Sequence, residues 1–307
     1  MPVMNSDKTV IVIAGPTAVG KTEIAIQLAE KYNCPIISGD SRQCYKELNI
    51  GVARPSLKEL ETATHYFIAS HSITENFSAA DFEKYAIEIS EQLFKKHDKI
   101  ILTGGTGLYL KAFCEGFDEI PPIDAEIREH INFSFQQFGI ERLLQELKNE
   151  DPEFYEKGEI QNPRRIMRAL EVLRQTGKSI LQFQRKEKKE RNFNIIKFGL
   201  ELPREKLYEN INSRVDKMIA EGLEEEVRSL MKYKNLNALQ TVGYRELFGY
   251  LEGKYTLEKA IELIKQNTRH YAKRQMTWFK KDISFNWIKA DKNSAEKIIE
   301  MVNNHSG

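Results

Sequence analysis

One glycine-rich stretch constrains what this chain can fold into. Thr9–Ala14 is a run of apolar and β-branched residues typical of a buried strand, and the next eight residues have the pattern G-x-x-x-x-G-K-T. Apolar residues then recur at helical spacing from Glu23 to Tyr32. A strand, a glycine loop and a helix in this order predict a phosphate-binding loop, because the backbone N–H groups and the helix N-terminus point at one anion.

Two side chains of the loop extend this prediction. Lys21 adds a full positive charge, and the hydroxyl of Thr22 is a candidate ligand for Mg²⁺. The pattern does not identify the phosphate compound, so ATP is one candidate, and a tight strand–helix turn without a ligand is the alternative. The predicted cradle consists of Gly15, Pro16, Thr17, Ala18, Val19, Gly20, Lys21 and Thr22.

Composition narrows the class of protein. With 307 residues, 41% of them hydrophobic and 30% charged, the chain has the composition of a globular protein with one or two domains. No apolar run reaches 18 residues, and residues 9–14 are too few for a secretory segment, so we expect no membrane partner. Three cysteines without metal-ligand spacing fit a reducing cytoplasm.

Two further strands are predicted to end beside the loop. Cys34–Ser38 and Lys99–Thr103 are short apolar runs, and the carboxyl ends of parallel strands face one crevice. Asp40 should therefore lie near the phosphate loop, as part of a Mg²⁺ shell, as a general base or as the cap of a following helix. The Lys99–Thr103 strand lacks the aspartate that holds Mg²⁺ in ordinary ATPases, which disfavours an ATPase.

The middle of the chain indicates a change of architecture. Residues 117–191 show helical patterns only, so we predict an α/β fold with a P-loop NTPase-like parallel sheet core, 1–116 and 192–307, and an inserted all-helical subdomain, 117–191. The net charge of the whole chain is only +1, yet residues 161–191 contain ten Lys or Arg against three Glu. Such a local cationic face fits a phosphate backbone, and a solvated surface is the alternative.

The last third returns to the core. Residues 194–200 predict a strand, residues 205–230 a helix with a break at Gly222, and Thr256–Lys280 one long helix. The long helix mixes basic and aromatic residues, which either grip RNA or pack on the sheet. The last dozen residues are expected to be frayed.

Seven motifs, in this order along the chain, resemble the tRNA dimethylallyltransferase family, also called tRNA isopentenyltransferases. They are Gly15–Thr22, Asp40–Gln43 with Tyr45, Gly104–Tyr109, Arg164–Glu171, Arg214–Met218 leading to Gly222–Leu223, Gln240–Glu246, and Lys273–Gln275 with Thr277–Phe279. The chain departs from the usual family pattern at Val19, Gly51–Pro55 and His65–Tyr66.

The resemblance implies transfer of a dimethylallyl group from dimethylallyl diphosphate to the exocyclic amine of the adenosine beside the tRNA anticodon. It implies Asp40 as general base, Lys21 and Thr106 as further catalytic residues, Arg214 as a diphosphate ligand, and Mg²⁺, held by Thr22, as cofactor. We expect a monomer. The residues implied to contact tRNA are Asp40, Ser41, Arg42, Gln43, Thr106, Arg128, Arg164, Arg165, Ile166, Met167, Arg168 and Arg274.

Three other functions stay open from the sequence. The first is a small-molecule or nucleotide kinase of the same fold, which would use ATP as donor. The second is the same prenyl chemistry on free adenine nucleotides, for which the basic insertion has no purpose. The third is a non-catalytic RNA-binding NTPase switch.

Overall fold

The chain divides into two compact units. The structure, a computed structural model, describes residues 8–75, 77–118, 120–183 and 188–305. One unit comprises Met1–Glu115 with Glu190–Gly307, and the other comprises Gly116–Lys189. These bounds lie one or two residues from the predicted ones.

The first unit is built on one parallel sheet. Over the described residues the sheet has six strands in the order β3-β2-β4-β1-β5-β6, and every pairing is parallel. The predicted strand Thr9–Ala14 is β1, near the centre of the sheet, and all six of its residues are buried. The predicted α/β class is therefore confirmed. The strands are β1 (Thr9–Ala14), β2 (Ile36–Ser38), β3 (His65–Tyr66), β4 (Lys99–Gly104), β5 (Asn194–Glu201) and β6 (Asn286–Lys289).

Helices flank this sheet and form the second unit. Along the described ranges, none of them combines the length and the apolar character needed to cross a bilayer. In chain order they are α1 (Lys21–Tyr32), α2 (Leu57–Thr62), α3 (Ala79–Leu93), α4 (Gly107–Glu115), α5 (Ala125–Glu150), α6 (Pro152–Lys157), α7 (Pro163–Thr176), α8 (Arg204–Ala220), α9 (Leu223–Ser229), α10 (Tyr244–Leu251), α11 (Leu257–Phe279) and α12 (Ser294–His305).

The C-terminal region is more ordered than its sequence indicates. The expectation of a frayed end is wrong, because residues 294–305 form α12, and Ile298 and Val302 have no exposed surface. Both side chains pack in the core that holds the apolar face of α1. The short edge strands β3 and β6 were not predicted, since runs of two and four residues carry little periodicity. The predicted break at Gly222 is confirmed, because this glycine separates α8 from α9.

The second unit is helical throughout its described residues. Helices α5, α6 and α7 surround a core that includes Ile131, Leu143 and Leu170. Helix α5 consists of two helical segments that meet at a kink at Gly139, whose backbone is not helical (φ 76°, ψ −169°). Arg185 and Lys186 of the predicted basic run lie outside the described residues.

Candidate functional site

The glycine loop between β1 and α1 has the shape of an anion cradle. Gly15 has φ +152°, and a Cβ there would lie 2.8 Å from the carbonyl oxygen of Leu200, so no larger residue fits. Gly20 has φ +99° and forms the N-cap of α1, whose first residue is Lys21. Thr17–Gly20 therefore form a curved segment ahead of the N-terminus of α1, where N–H groups lack intrahelical partners.

Lys21 lies over its own loop. Its Nζ donates to the carbonyl oxygens of Pro16 at 2.8 Å and Gly15 at 3.0 Å. Burial and, to a smaller extent, the Arg214 cation lower the pKa of Lys21 to about 7, against the opposing effect of the Asp40 carboxylate. An anion in the cradle would favour the charged ammonium, so the loop is prepared for a ligand of negative charge.

Arg214 brings a second cation to the loop from α8. Its guanidinium Nη1 lies 3.5 Å from Oγ1 of Thr17. Burial lowers the pKa of Arg214, and Asp40 opposes this shift. The predicted diphosphate ligand therefore lies at the cradle, 197 residues away from Thr17 along the chain.

The end of β2 is tied to the end of β4. Asp40 follows β2, and its Oδ1 accepts from the amides of Arg42 at 2.9 Å and Gln43 at 3.4 Å. Oγ1 of Thr106, after β4, accepts from the amide of Ser41 at 3.0 Å and donates to the Ser41 hydroxyl at 3.2 Å. Asp40 thus caps a turn and not a helix, and Thr106 supports that turn.

A cavity of about 300 Å³ joins the loops of β1, β2 and β4. Lys21, Asp40 and Arg214 line it, so the cradle and the carboxylate face one space. Ser41, Arg42 and Thr106, which the resemblance implies as tRNA contacts, are not among the described residues that line this cavity, and Thr106 and Ser41 hydrogen-bond each other beside it. The other lining residues include Thr17, Ala18, Gly20, Thr22, Ser38, Gln43, Val52, Ala53, Pro55, Ile68, Thr103, Gly104, Gly105, Tyr271 and Gln275.

Gln43 holds one wall of this cavity. Its Nε2 donates to the carbonyl oxygens of Ala53 at 2.9 Å and Val52 at 3.3 Å. Its Oε1 accepts from the hydroxyl of Ser38 at 3.2 Å. Both protons of the side-chain amide are therefore used within the protein, which leaves the amide with little capacity for a ligand.

Two residues of α11 line the cavity although the sequence did not single them out as site residues. Gln275 is buried and hydrogen-bonds both the β1 loop and the β4 loop. Tyr271 keeps 36% of its surface exposed, yet its phenol lies beside Thr106 and Asp40, and burial first, then Asp40, raises its pKa to about 12. The motif Lys273–Gln275 was the available signal, but helical periodicity cannot identify partners so distant in the chain.

Helix α11 packs part of its surface in the core and exposes another part. Ala272 and Phe279 are buried in the core of the unit, whereas Trp278 is 37% exposed. Arg274, a predicted RNA contact, is exposed, and its guanidinium lies 5.8 Å from the ring centroid of Tyr271. Packing therefore accounts for part of the aromatic pattern, and the rest forms an exposed basic and aromatic surface.

Most of the predicted basic face of the helical unit is paired with carboxylates. Arg168 contacts the largely buried Glu171 at 3.0 Å, and Arg128 contacts the same carboxylate at 3.8 Å. Arg165 contacts Glu159 at 2.6 Å, and Arg164 is exposed on the first turn of α7. These pairs fix the directions of the guanidinium groups but reduce the local positive charge.

The side chain of Ile166, one of the predicted RNA contacts, is buried. It has no exposed surface and packs in the core of the helical unit, so its side chain has no surface to offer RNA. Met167 is partly buried against the same core. The contact set was extended over a continuous motif, whereas a helix turns only every third or fourth residue inward.

Sequence comparison extends over nearly the whole chain. The family model of IPP transferase matches residues 43–282. A tRNA dimethylallyltransferase of Cytophaga hutchinsonii is 49% identical over 282 residues, which cover 92% of this chain and 93% of that protein. The tRNA dimethylallyltransferase of Flavobacterium psychrophilum is 50% identical over 301 residues, 95% of this chain and 97% of that protein.

Solved structures agree with this. The tRNA isopentenylpyrophosphate transferase of Bacillus halodurans has a TM-score of 0.72 and 33% identity, covering 98% of this chain and 97% of its own. A eukaryotic dimethylallyltransferase, solved in snapshots acting on tRNA, has a TM-score of 0.80 and 28% identity, covering 97% of this chain and 79% of its own. The chain belongs to the IPP transferase family, the family of the tRNA dimethylallyltransferases.

Proposed function

We propose that this chain transfers a dimethylallyl group from dimethylallyl diphosphate to the exocyclic amine of the adenosine beside the anticodon of tRNA, and releases diphosphate. The observation that carries the proposal is the shared cavity, because the cationic cradle of Lys21 and Arg214 faces the same space as the Asp40 carboxylate. A leaving anion and a nucleophile that loses a proton need these two environments side by side.

The cradle supports departure of the diphosphate. The carbon–oxygen bond of an allylic diphosphate breaks more easily when the charge that develops on the oxygen is neutralised. Lys21, Arg214 and the amides at the start of α1 supply fixed positive charge around one anion. The apolar Val52, Pro55 and Ile68 of the cavity offer a surface for the five-carbon group.

Asp40 is the proposed base. The adenosine amine attacks the allylic carbon, the bond from that carbon to the diphosphate oxygen breaks, and one amine proton passes to an Asp40 oxygen. Only Oδ1 of Asp40 binds the turn amides of Arg42 and Gln43, so the carboxylate keeps capacity for the amine. Thr106 holds the turn through Ser41 and acts on the reaction through Asp40.

Mg²⁺ is the proposed cofactor, and the donor chemistry fits it. Mg²⁺ prefers oxygen ligands and is commonly held by one or two carboxylates together with substrate phosphates. Thr22, Ser38, Asp40 and Thr103 present oxygen atoms around the cavity, with Thr22 as the proposed ligand. Among the residues that the structure describes, no cluster of three or more His, Cys, Asp or Glu forms an all-protein site. Bound Mg²⁺ would neutralise diphosphate charge.

The RNA side of the proposal uses exposed cations. A stacked adenine must leave its stack to reach the cavity, at a cost of about a few kcal/mol. Arg164, Arg165, Arg168 and Arg128 in the helical unit, and Arg274 in the core unit, are proposed to bind the tRNA backbone. We propose that the enzyme acts as a monomer in the cytoplasm.

A kinase is the alternative in the same fold. It would place the phosphates of ATP in the cradle, but β4 ends in Thr103 and Gly104 without an acidic residue. P-loop ATPases hold Mg²⁺ with an aspartate on a strand, and β4 of this chain does not supply one.

A donor exchange tests the proposal. Unmodified tRNA is incubated with Mg²⁺ and either dimethylallyl diphosphate or ATP. The tRNA is then digested, and the masses of its nucleosides are measured by mass spectrometry. We expect a mass gain of one dimethylallyl group on one adenosine with the first donor alone. Phosphate transfer from ATP, with no reaction of the prenyl donor, would refute the proposal.

A further inference from the structure

Gln275 joins the two sides of the cavity through one amide. Its Oε1 accepts from the backbone amide of Thr17 at 2.8 Å, in the phosphate loop. Its Nε2 donates to the carbonyl oxygen of Gly105 at 2.9 Å, in the loop after β4. Gln275 is 6% exposed, so both contacts are made largely away from water.

Each partner belongs to a different half of the proposed reaction. Thr17 lies in the cradle and its hydroxyl contacts Arg214, so it belongs to the diphosphate side. Gly105 precedes Thr106, whose hydroxyl supports the turn that carries Asp40, so it belongs to the acceptor side. The β1 and β4 loops both extend beyond their strands at this edge of the sheet, and Gln275 links them there.

We propose that Gln275 is a positioning residue that sets the separation between the departing diphosphate and the attacking amine. The proposal rests on the proposed function, because it concerns the step in which both substrates are bound. Reaction within a bound pair needs the reacting atoms about 3–3.5 Å apart, and a shift of about 1 Å costs roughly 10²-fold in rate. Loosening the bridge should therefore slow transfer more than it weakens binding of either substrate.

The gap between the β1 and β4 loops fits the length of a glutamine side chain at position 275. A Cβ on Gly105 would lie only 2.4 Å from Nε2 of Gln275, so the amide rests directly on the backbone of the β4 loop. Asparagine is one methylene shorter and cannot reach both partners from the same backbone position. Leucine has a similar volume but makes neither hydrogen bond.

The experiment compares Gln275→Leu and Gln275→Asn with Asn267→Leu in the full-length chain. Asn267 is a matched control on the same helix, because its Nδ2 donates to Oε1 of Glu246 at 2.7 Å and it does not line the cavity. Calorimetry measures the affinity for dimethylallyl diphosphate, and filter binding measures the affinity for tRNA. Single-turnover kinetics measure the transfer rate when both substrates are saturating. If Gln275→Leu fails to fold, Gln275→Asn alone tests the proposal.

We expect both Gln275 variants to lose about 10²-fold in the single-turnover rate, while each dissociation constant changes less than fivefold and Asn267→Leu keeps the wild-type rate. Equal rates for the Gln275 and Asn267 variants would overturn the proposal. A loss confined to donor affinity would overturn it as well, since Gln275 would then shape the cradle alone. Absence of prenyl transfer by the wild-type chain would instead count against the proposed function.

Discussion

The phenol of Tyr244 donates a hydrogen bond of 2.6 Å to Oε1 of Glu226, and this pair anchors a wall of the cavity. The same carboxylate accepts from three successive backbone amides, those of Asn49, Ile50 and Gly51, at 2.8–3.1 Å. Residues 52, 53 and 55 of this loop line the cavity. Removing one partner of a partly buried carboxylate that accepts four hydrogen bonds lowers the free energy of unfolding.

We therefore expect Tyr244→Phe to lower the free energy of unfolding by about 1–3 kcal/mol, the range for a hydrogen bond to a charged group. Glu226→Ala should cost more, because it leaves three backbone N–H groups without their acceptor. Urea unfolding followed by circular dichroism measures both. Glu225→Ala, at an exposed neighbouring position, is the control and should stay within about 0.5 kcal/mol of wild type. A neutral Tyr244→Phe would show that the pair does not anchor the loop.

Asp40 is best tested by Asp40→Asn. The amide oxygen of asparagine can still accept from the amides of Arg42 and Gln43, so the turn is retained while the base is lost. We expect the single-turnover rate to fall by roughly 10²-fold or more, a magnitude typical of a general base, with tRNA affinity nearly unchanged. Asp40→Ala, which also removes the cap, should be at least as slow. Normal turnover by Asp40→Asn would remove proton transfer to Asp40 from the mechanism.

The parts of the site that sequence could predict are those encoded locally. The phosphate loop, Lys21 and the preceding strand lie within 14 consecutive residues, so their pattern is visible in one window. The approach of Asp40 to the loop followed from one rule of parallel sheets. The fold class needed only strands and helices in alternation.

Among the missed parts, the role of Gln275 depends on a contact distant in sequence, whereas α12 and the inward direction of Ile166 were visible as helical periodicity. Gln275 and Thr17 are 258 residues apart, and nothing near Gln275 identifies that partner. Helix α12 carries Ala295, Ile298 and Val302 at helical spacing, and these side chains pack in the core that holds the apolar face of α1. The inward direction of Ile166 followed from helical periodicity, but the motif was read as a continuous contact segment.

Lys21 predicts how the affinity for diphosphate depends on pH. The pKa of Lys21 in the free protein is lowered to about 7 by burial and by Arg214. A bound anion favours the charged ammonium and raises that pKa, so binding above pH 7 requires uptake of a proton. Below pH 7, Lys21 is already charged and should contribute little pH dependence to the dissociation constant for inorganic diphosphate. From pH 7 to 9 we expect that constant to rise by up to about tenfold per pH unit. Calorimetry in two buffers of different ionisation enthalpy measures the proton uptake.

Lys21→Ala is the matched test of this assignment. The variant should bind diphosphate more weakly, and the rise between pH 7 and 9 should disappear. A rise that persists in Lys21→Ala would assign the titration to another group.

The arginines of α7 predict a salt-dependent affinity for tRNA. Replacing Arg164, Arg165 and Arg168 together by Ala should weaken binding and flatten the dependence of log K on log salt by about one unit for each phosphate that an arginine no longer neutralises. Among the single variants, Arg164→Ala should have the largest effect, because Arg165 and Arg168 already contact Glu159 and Glu171. Filter binding between about 50 and 200 mM salt measures the slopes.

Arg142→Ala is the control for charge alone. Arg142 is a half-exposed arginine of the same helical unit, paired with Glu146 at 2.7 Å, and no RNA contact is predicted for it. Its removal lowers the net charge by one, as each single α7 variant does, but should leave the slope unchanged because counterion release follows direct phosphate contacts. If Arg142→Ala and Arg164→Ala gave the same slope, the α7 arginines would act only through net charge.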